Sequence, residues 1–183
     1  MSTGDSTQVT LPPMQVITQN EHHIRVEDIG INAVKVLRRL NSAGFEAYLV
    51  GGCVRDLLLN QHPKDFDIAT NATPEQIKAQ FKNCRIIGRR FRLAHVIFGR
   101  EIIEVATFRG PHIEQSNTSD KSKQNGEGQL VRDNVFGTLE QDAARRDFTI
   151  NAMYYNVTDG TIRDFAGGIL SIEEKIISLI GDP

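Results

Sequence analysis

At 183 residues and a formal net charge of −2, the chain is sized for one domain and is not a wholly basic nucleic-acid coat. Its 39% hydrophobic and 24% charged content is that of an ordinary globular fold, and no window approaches the ~20 apolar residues of a membrane helix. The start, STGDSTQVTLPP, lacks the basic end and apolar core of a secretory signal, and the two cysteines, Cys53 and Cys84, indicate a reducing, cytoplasmic compartment rather than a disulfide scaffold.

Residues 1–20 are polar, contain Pro12-Pro13 and read as a disordered tail, which leaves 21–183 as the domain. The adjacent His22 and His23 point different ways and make a poor metal pair. Ile29, Ala33, Val34, Val36, Leu37 and Leu40 recur at helical spacing, which predicts a helix over 27–43 that Gly44 stops. A strand over 45–50 ends at Gly51-Gly52. A short helix follows with Val54, Leu57 and Leu58 on one face. After a polar turn near Pro63, a second strand carries Asp65 and Asp67.

Thr73-Pro74-Glu75-Gln76 is a capped helix start, and that helix runs to about Lys82. Strands are predicted over 85–87, 92–98 and 102–108, the last two joined by a turn at Gly99-Arg100. Glu104 lies between Ile103 and Val105, which is either simple alternation with a solvated carboxylate or a site residue. Residues 110–132 are polar and without period, and read as a mobile loop. Thr138 and Gln141 make a second capping box, whose helix leads into RRDFTINAMYY. A hairpin then turns at Asp159-Gly160. A short helix starts at Ser171, and an apolar run covers 176–180. The pattern is α/β in the α+β sense: a small mixed, largely antiparallel sheet with helices on one side. The G-x-G-x-x-G turn and regular βαβ alternation of a Rossmann domain are absent.

The stretch YLVGGCVRDLLLNQHPKDFDI concentrates the chemistry. Gly51 and Gly52 let a phosphate approach the backbone without a Cβ in the way. The helix after them points free N–H groups at that phosphate, and Arg55 in its first turn can reach the same anion. Asp65 and Asp67, two apart on a strand, project from one face. Two hard oxygen ligands beside a phosphate cradle suit a Mg²⁺–nucleotide site. Each part alone also has a plain reading: a turn, or solvated surface. Arg145, Arg146 and Asp147 are a charged trio that is either a solvated helix end or a set of triphosphate and ribose contacts. The segment RIIGRRFR, 85–92, is the densest basic patch and brackets Phe91. Cys53, in the glycine-rich turn, reads as a small semi-buried residue.

GGCVRD with DFD, EVATFR and RRDFTINA, in that order, resemble the head domain of polymerase-β-type nucleotidyltransferases. The branch is that of bacterial poly(A) polymerases and the related tRNA CCA-adding enzymes. GRRFRLAHV, the opening ITQNEHHIRVEDI and the closing SLIGDP look like the poly(A) polymerase side of that branch. The resemblance implies Mg²⁺-dependent, template-independent transfer of AMP from ATP to RNA 3′ ends. Asp65 and Asp67 would hold two Mg²⁺ ions, with Glu104 a secondary metal or catalytic acid and Asp147 contacting ribose or supporting the metals. Gly51, Gly52, Arg55, Arg145 and Arg146 would bind the triphosphate. In that family the chain continues into helical neck, body and tail domains, and an ED-x-x-R motif in the neck reads the base. The resemblance therefore implies a head-domain fragment. Two alternatives stay open: CCA addition from CTP and ATP, or a nucleotide-binding piece inactive without its neck.

Overall fold

The computed structural model describes residues 9–89, 91–111 and 136–181. Eight strands form one sheet: β1 (Gln15–Ile17), β2 (Ala47–Val50), β3 (Asp67–Thr70), β4 (Cys84–Ile87), β5 (Leu93–Phe98), β6 (Glu101–Thr107), β7 (Met153–Tyr155) and β8 (Ile162–Asp164). Their order across the sheet is β1-β8-β7-β2-β3-β6-β5-β4. Among the described residues only β3 and β6 pair in parallel; the other neighbours are antiparallel, as the alternating pattern predicts.

β2 is the centre because its four residues are all buried and alternate between two cores. Ala47 and Leu49 join the larger core. There they meet α1 (Ile31–Ser42), through Ala33, Val36, Leu37 and Leu40, and α2 (Gly52–Leu58), through Cys53, Val54 and Leu57. α3 (Pro74–Gln80) adds Ile77, and α5 (Gly168–Glu173) leans in through Ile169 and Ile172. Tyr48 and Val50 face the other way, into a smaller aromatic core with Ala69, Phe108, Tyr154 and Phe165. The last helix, α4 (Leu139–Ala144), closes that second face with Leu139 and Ala143. Among the described residues, four helices thus share one side, as expected, and α4 lies on the side that carries the charged residues.

Both predicted capping boxes form: Thr73 with Gln76 at α3 and Thr138 with Gln141 at α4. The expected tail is shorter than 20 residues, because Gln15–Ile17 pairs with β8 as an edge strand through backbone bonds that no apolar pattern announces. The predicted helix over 27–43 splits. Val26–Asp28 is a single 3₁₀ turn, Ile29 is extended, and α1 starts only at Ile31. Gly30 stands at the break, where a Cβ would come 2.9 Å from the Phe66 ring. α5 starts three residues earlier than expected, because the buried Asp164 accepts four N–H groups, from Ala166, Gly167, Gly168 and Ile169. The strand expected to carry Asp65 begins only at Asp67. Its partner β2 ends opposite that residue, at Val50, and the chain then turns away at Gly51. Apart from Gly110 and Pro111, the loop predicted over 110–132 lies outside the described residues.

Candidate active site

Strand register builds the floor of the site. Val50, Asp67, Glu104 and His95 stand side by side on β2, β3, β6 and β5. They share the face that holds Tyr48 and Ala69, because Ile68, Ile103 and Val105 point into the larger core. Two carboxylates are therefore direct neighbours across the parallel pair. Asp65 is exposed and precedes the strand, but Phe66 between it and Asp67 packs on the larger core, so the Asp65 charge still acts on Asp67.

Asp67 is exposed, yet desolvation by the protein around it is the largest cause raising its carboxyl above the ordinary value. Glu104 and then Asp65 push it further, and Arg146 opposes them. The folded chain thus holds a proton on Asp67 more tightly than the unfolded chain. That contribution to stability is complete below the unfolded carboxylate value and is lost as pH rises through the folded one. Asp67→Asn is expected to melt above the parent at pH about 7.5 in EDTA, with the gap closing near pH 4. Melting curves across that range that superimpose would remove this electrostatic account.

Arginines make the opposite wall. Asp67, Glu104, Arg109, Asp142, Arg145 and Arg146 line one cleft of about 260 Å³, with Val50, Leu93 and Ala106 among its apolar walls. Asp142, on α4, is buried and organises this side. It accepts the Arg109 backbone N–H at 3.0 Å, the Tyr154 hydroxyl at 2.7 Å and Arg146 Nη2 at 3.2 Å. Arg146 also donates through Nε to the Tyr154 oxygen at 3.0 Å. Burial works against the Arg146 charge, but Tyr154 and Asp142 more than offset it, and the guanidinium is held above its ordinary value. Arg145, whose Nη1 donates to the Gly110 carbonyl at 2.7 Å, is lowered by burial and by the like charge of Arg109.

The glycine turn lies at the end of β2 beside this wall. Gly51 has φ +79°, which excludes side chains, and a Cβ there would stand 3.6 Å from Arg146 Nη1. Arg55 reaches over Gly52, but its guanidinium is already held by Asp56 at 2.8 Å and by the Asn151 amide oxygen at 3.1 Å. Cys53 is inert: burial pushes its thiol up to about 11. His22 and His23 bond to different carbonyls, of Gly160 and Leu57.

The structure thus brings together Asp67, Glu104, Arg145 and Arg146, with Gly51 at the edge and Asp65 acting electrostatically. Gly51, Gly52, Arg55, Asp65 and Asp147 are not among the cleft-lining residues. Asp147 is exposed, and its carboxylate accepts the neighbouring Phe148 N–H at 2.8 Å. Sequence reading missed Asp142, Arg109 and His95. The Asp142–Arg146 spacing of four at a predicted helix end was the available signal for the first. His95, which faces Glu104 at 3.3 Å, shows only as a polar residue in an alternating strand.

Among the described residues, no three His, Cys, Asp or Glu side chains are gathered tightly enough to hold a metal ion by themselves. A dedicated structural metal does not fit that arrangement. Mg²⁺ does, because it is usually held by one or two carboxylates plus water and substrate phosphates. The repulsion that Glu104 and Asp65 exert on Asp67 is the kind that such a cation relieves. No helix among the described residues is long and apolar enough to cross a membrane.

Comparison with known proteins agrees with this geometry. The family model described as poly A polymerase head domain matches residues 47–178. Poly(A) polymerase I of Salmonella typhimurium is 58% identical over 175 residues, covering 96% of this chain and 38% of its own length. The CCA-adding enzyme of Lactobacillus helveticus is 39% identical over 161 residues, covering 87% of this chain and 37% of its own. Among solved structures, Bacillus stearothermophilus CCA-adding enzyme in complex with CTP superimposes with a TM-score of 0.65 at 33% identity, over 81% of this chain and 33% of that one. This chain spans less than two-fifths of the length of these relatives. Motif order, sheet topology and family match agree: the chain belongs to the poly(A) polymerase head-domain family.

Proposed function

We propose that this chain is the catalytic head of an enzyme that transfers AMP from ATP to RNA 3′ ends. The observation that carries the reading is the cleft in which Asp67 and Glu104 face Arg109, Arg145 and Arg146. The arginines supply fixed positive charge for a triphosphate, and the guanidinium of Arg146, anchored on Asp142 and Tyr154, is already oriented before a substrate arrives. Asp67 and Glu104, with Asp65 assisting, are the residues that would hold Mg²⁺. That ion, when bound, would neutralise phosphate charge and acidify the attacking hydroxyl. The chain's own part is positioning: carboxylates on a rigid sheet, arginines on a helix end, and a glycine turn that admits phosphate close to the backbone. The exposed Asp147 is assigned a supporting contact to ribose, and Arg55 and Gly52 the rim of the triphosphate site. A cytoplasmic location accords with the two buried free thiols.

The preference for ATP over a CTP-using activity is supported by the higher identity to poly(A) polymerase I than to CCA-adding enzymes. The test is incorporation of labelled ATP or CTP into a short single-stranded RNA by the 183-residue chain with Mg²⁺. AMP tailing without CMP addition supports the reading. CMP addition moves the chain to the CCA-adding activity. Binding of Mg-ATP without product means that the head needs further domains to place base and RNA.

A further inference from the structure

The row of side chains that sets Asp67 beside Glu104 continues past them. It runs through His95 of β5 to Arg85 of β4, the last strand of the sheet. The same face carries Ile102 and Ala106 on β6, Leu93 and Ile97 on β5, and Ile87 on β4. Alternation along β5 separates its two sides. Ala94 and Val96 are buried in the larger core, whereas Leu93, His95 and Ile97 are only half-buried. Ile102 and Ile87 are 50% and 45% exposed. Single exposed apolar side chains need no explanation. A strip of them across three strands, continuous with the carboxylates of the cleft, does.

Charge limits what can lie on this strip. Apart from Glu104, no acidic side chain stands on this face of β4, β5 or β6, because the Glu101 carboxylate is bonded to Asn32 of α1 on the other side. Arg85 is exposed and has no ion-pair partner among the described residues. Arg89 and Arg100, in the two connections that bound β5, are exposed and unpaired in the same sense, whereas Arg92 is taken by Glu75. Unpaired cations beside an apolar strip suit a single-stranded nucleic acid, whose phosphates meet the cations while its bases cover apolar surface. The strip is also separate from the triphosphate arginines. Arg146 bonds to Tyr154 on β7, and Tyr154 stands beside Val50 in the same row. Arg146 and Arg85 thus lie on opposite sides of Asp67 and Glu104. From β6 to β4 is two strand spacings, about 10 Å, which a strand with its 3′ end at the carboxylates spans within its last few nucleotides. In-line transfer asks for acceptor and leaving group on opposite sides of the phosphorus.

We infer that the open face of β4, β5 and β6 is the track for the single-stranded RNA acceptor, with Arg85 meeting a backbone phosphate and Ile87 and Leu93 flooring the bases. This deepens the proposed transfer to RNA and rests on that reading for its biological sense, but it is measured by binding alone.

The test is binding of single-stranded oligo(A) RNA in Mg²⁺-free buffer, followed by fluorescence anisotropy over a range of salt. Arg85→Ala is expected to bind about tenfold more weakly than the parent at about 50 mM salt, and its log–log salt slope is expected to fall by about 0.7, one phosphate contact on a single strand. Arg85→Lys keeps the slope, and ATP affinity is the same in both variants. Arg39→Ala, exposed on α1 across the sheet, binds as the parent does. The chain contains no tryptophan, so Ile87→Trp sets a single indole two residues from Arg85, which oligo(A) is expected to quench and ATP is not. Five results overturn the track: no oligo(A) binding by the parent, which leaves the strip to a protein partner; an unchanged slope in Arg85→Ala; an equal loss in Arg39→Ala; a matching loss of ATP affinity; or an indole that oligo(A) leaves unquenched. AMP transfer with an unchanged Arg85→Ala slope discards the track and keeps the transfer reading. An Arg85-dependent slope without AMP transfer does the reverse for this chain.

Discussion

Asp67→Ala is expected to lower AMP transfer by about 10³-fold or more, while the thermal midpoint at neutral pH rises. The two effects share one cause. Asp67 is exposed but partly desolvated by the surrounding protein, stands beside Glu104 in register and lies within the field of Asp65. That arrangement disfavours the charged carboxylate in the metal-free chain, so removing it relieves strain. The same charge is what a Mg²⁺–triphosphate would need. Losing several kcal/mol of charge stabilisation in a transfer step, at about 1.4 kcal/mol per tenfold, accounts for the expected loss in rate. Radiolabelled AMP incorporation and melting curves on one preparation test both halves. Full activity in the variant would end the assignment of Asp67 to the reaction. Lower activity with a lower midpoint would mean that Asp67 serves the fold. Natural sites commonly give up stability for function in this way.

Asp142→Ala should be the most destabilising single change at the site. Its carboxylate is buried and receives the Tyr154 hydroxyl, the Arg109 N–H and Arg146. Alanine leaves the buried Tyr154 hydroxyl without its acceptor and takes from the partly buried Arg146 guanidinium its carboxylate partner, a loss of about 3 kcal/mol. For a chain of this size that lowers the midpoint by roughly 6–12 °C. Asp142→Asn keeps one acceptor oxygen, enough for the Arg109 N–H that Oδ1 now receives, but puts an amide NH₂ where Oδ2 receives the Tyr154 hydroxyl and Arg146, and it removes the charge. It is expected to recover part of the midpoint while ATP binds more weakly than in the parent. If Asn restores both stability and ATP affinity, Asp142 acts by shape alone and not by holding Arg146 in its working position.

The glycine turn, the helix after it and both capping boxes were legible because each depends on local geometry: positive φ and cap spacing. Asp65 was misplaced on the strand because strand ends depend on the partner, and β2 stops at Val50 for reasons that lie in the turn beyond it. Edge strand β1 escaped because backbone pairing leaves no mark on a polar segment. Arg55 and Asp147 carried motif-based expectations, but Arg55 is held by Asp56 and Asn151, and Asp147 faces its own backbone.

By itself the sequence determined the fold class, the family and the chemical types present: hard acids, arginines and a backbone open to phosphate. Those follow from near-neighbour spacing, which a linear text preserves. Only the tertiary structure decided which of these groups meet. The parallel pairing of β3 with β6 sets Asp67 beside Glu104, 37 positions away in the chain by the difference of their numbers. α4, on the charged face, carries Asp142 to the end of β6 and fixes Arg146 beside the glycine turn. The physical reason is that a cleft is made by the register and handedness of packed elements, and those are chosen by the two cores on either side of β2, which no short stretch of sequence contains.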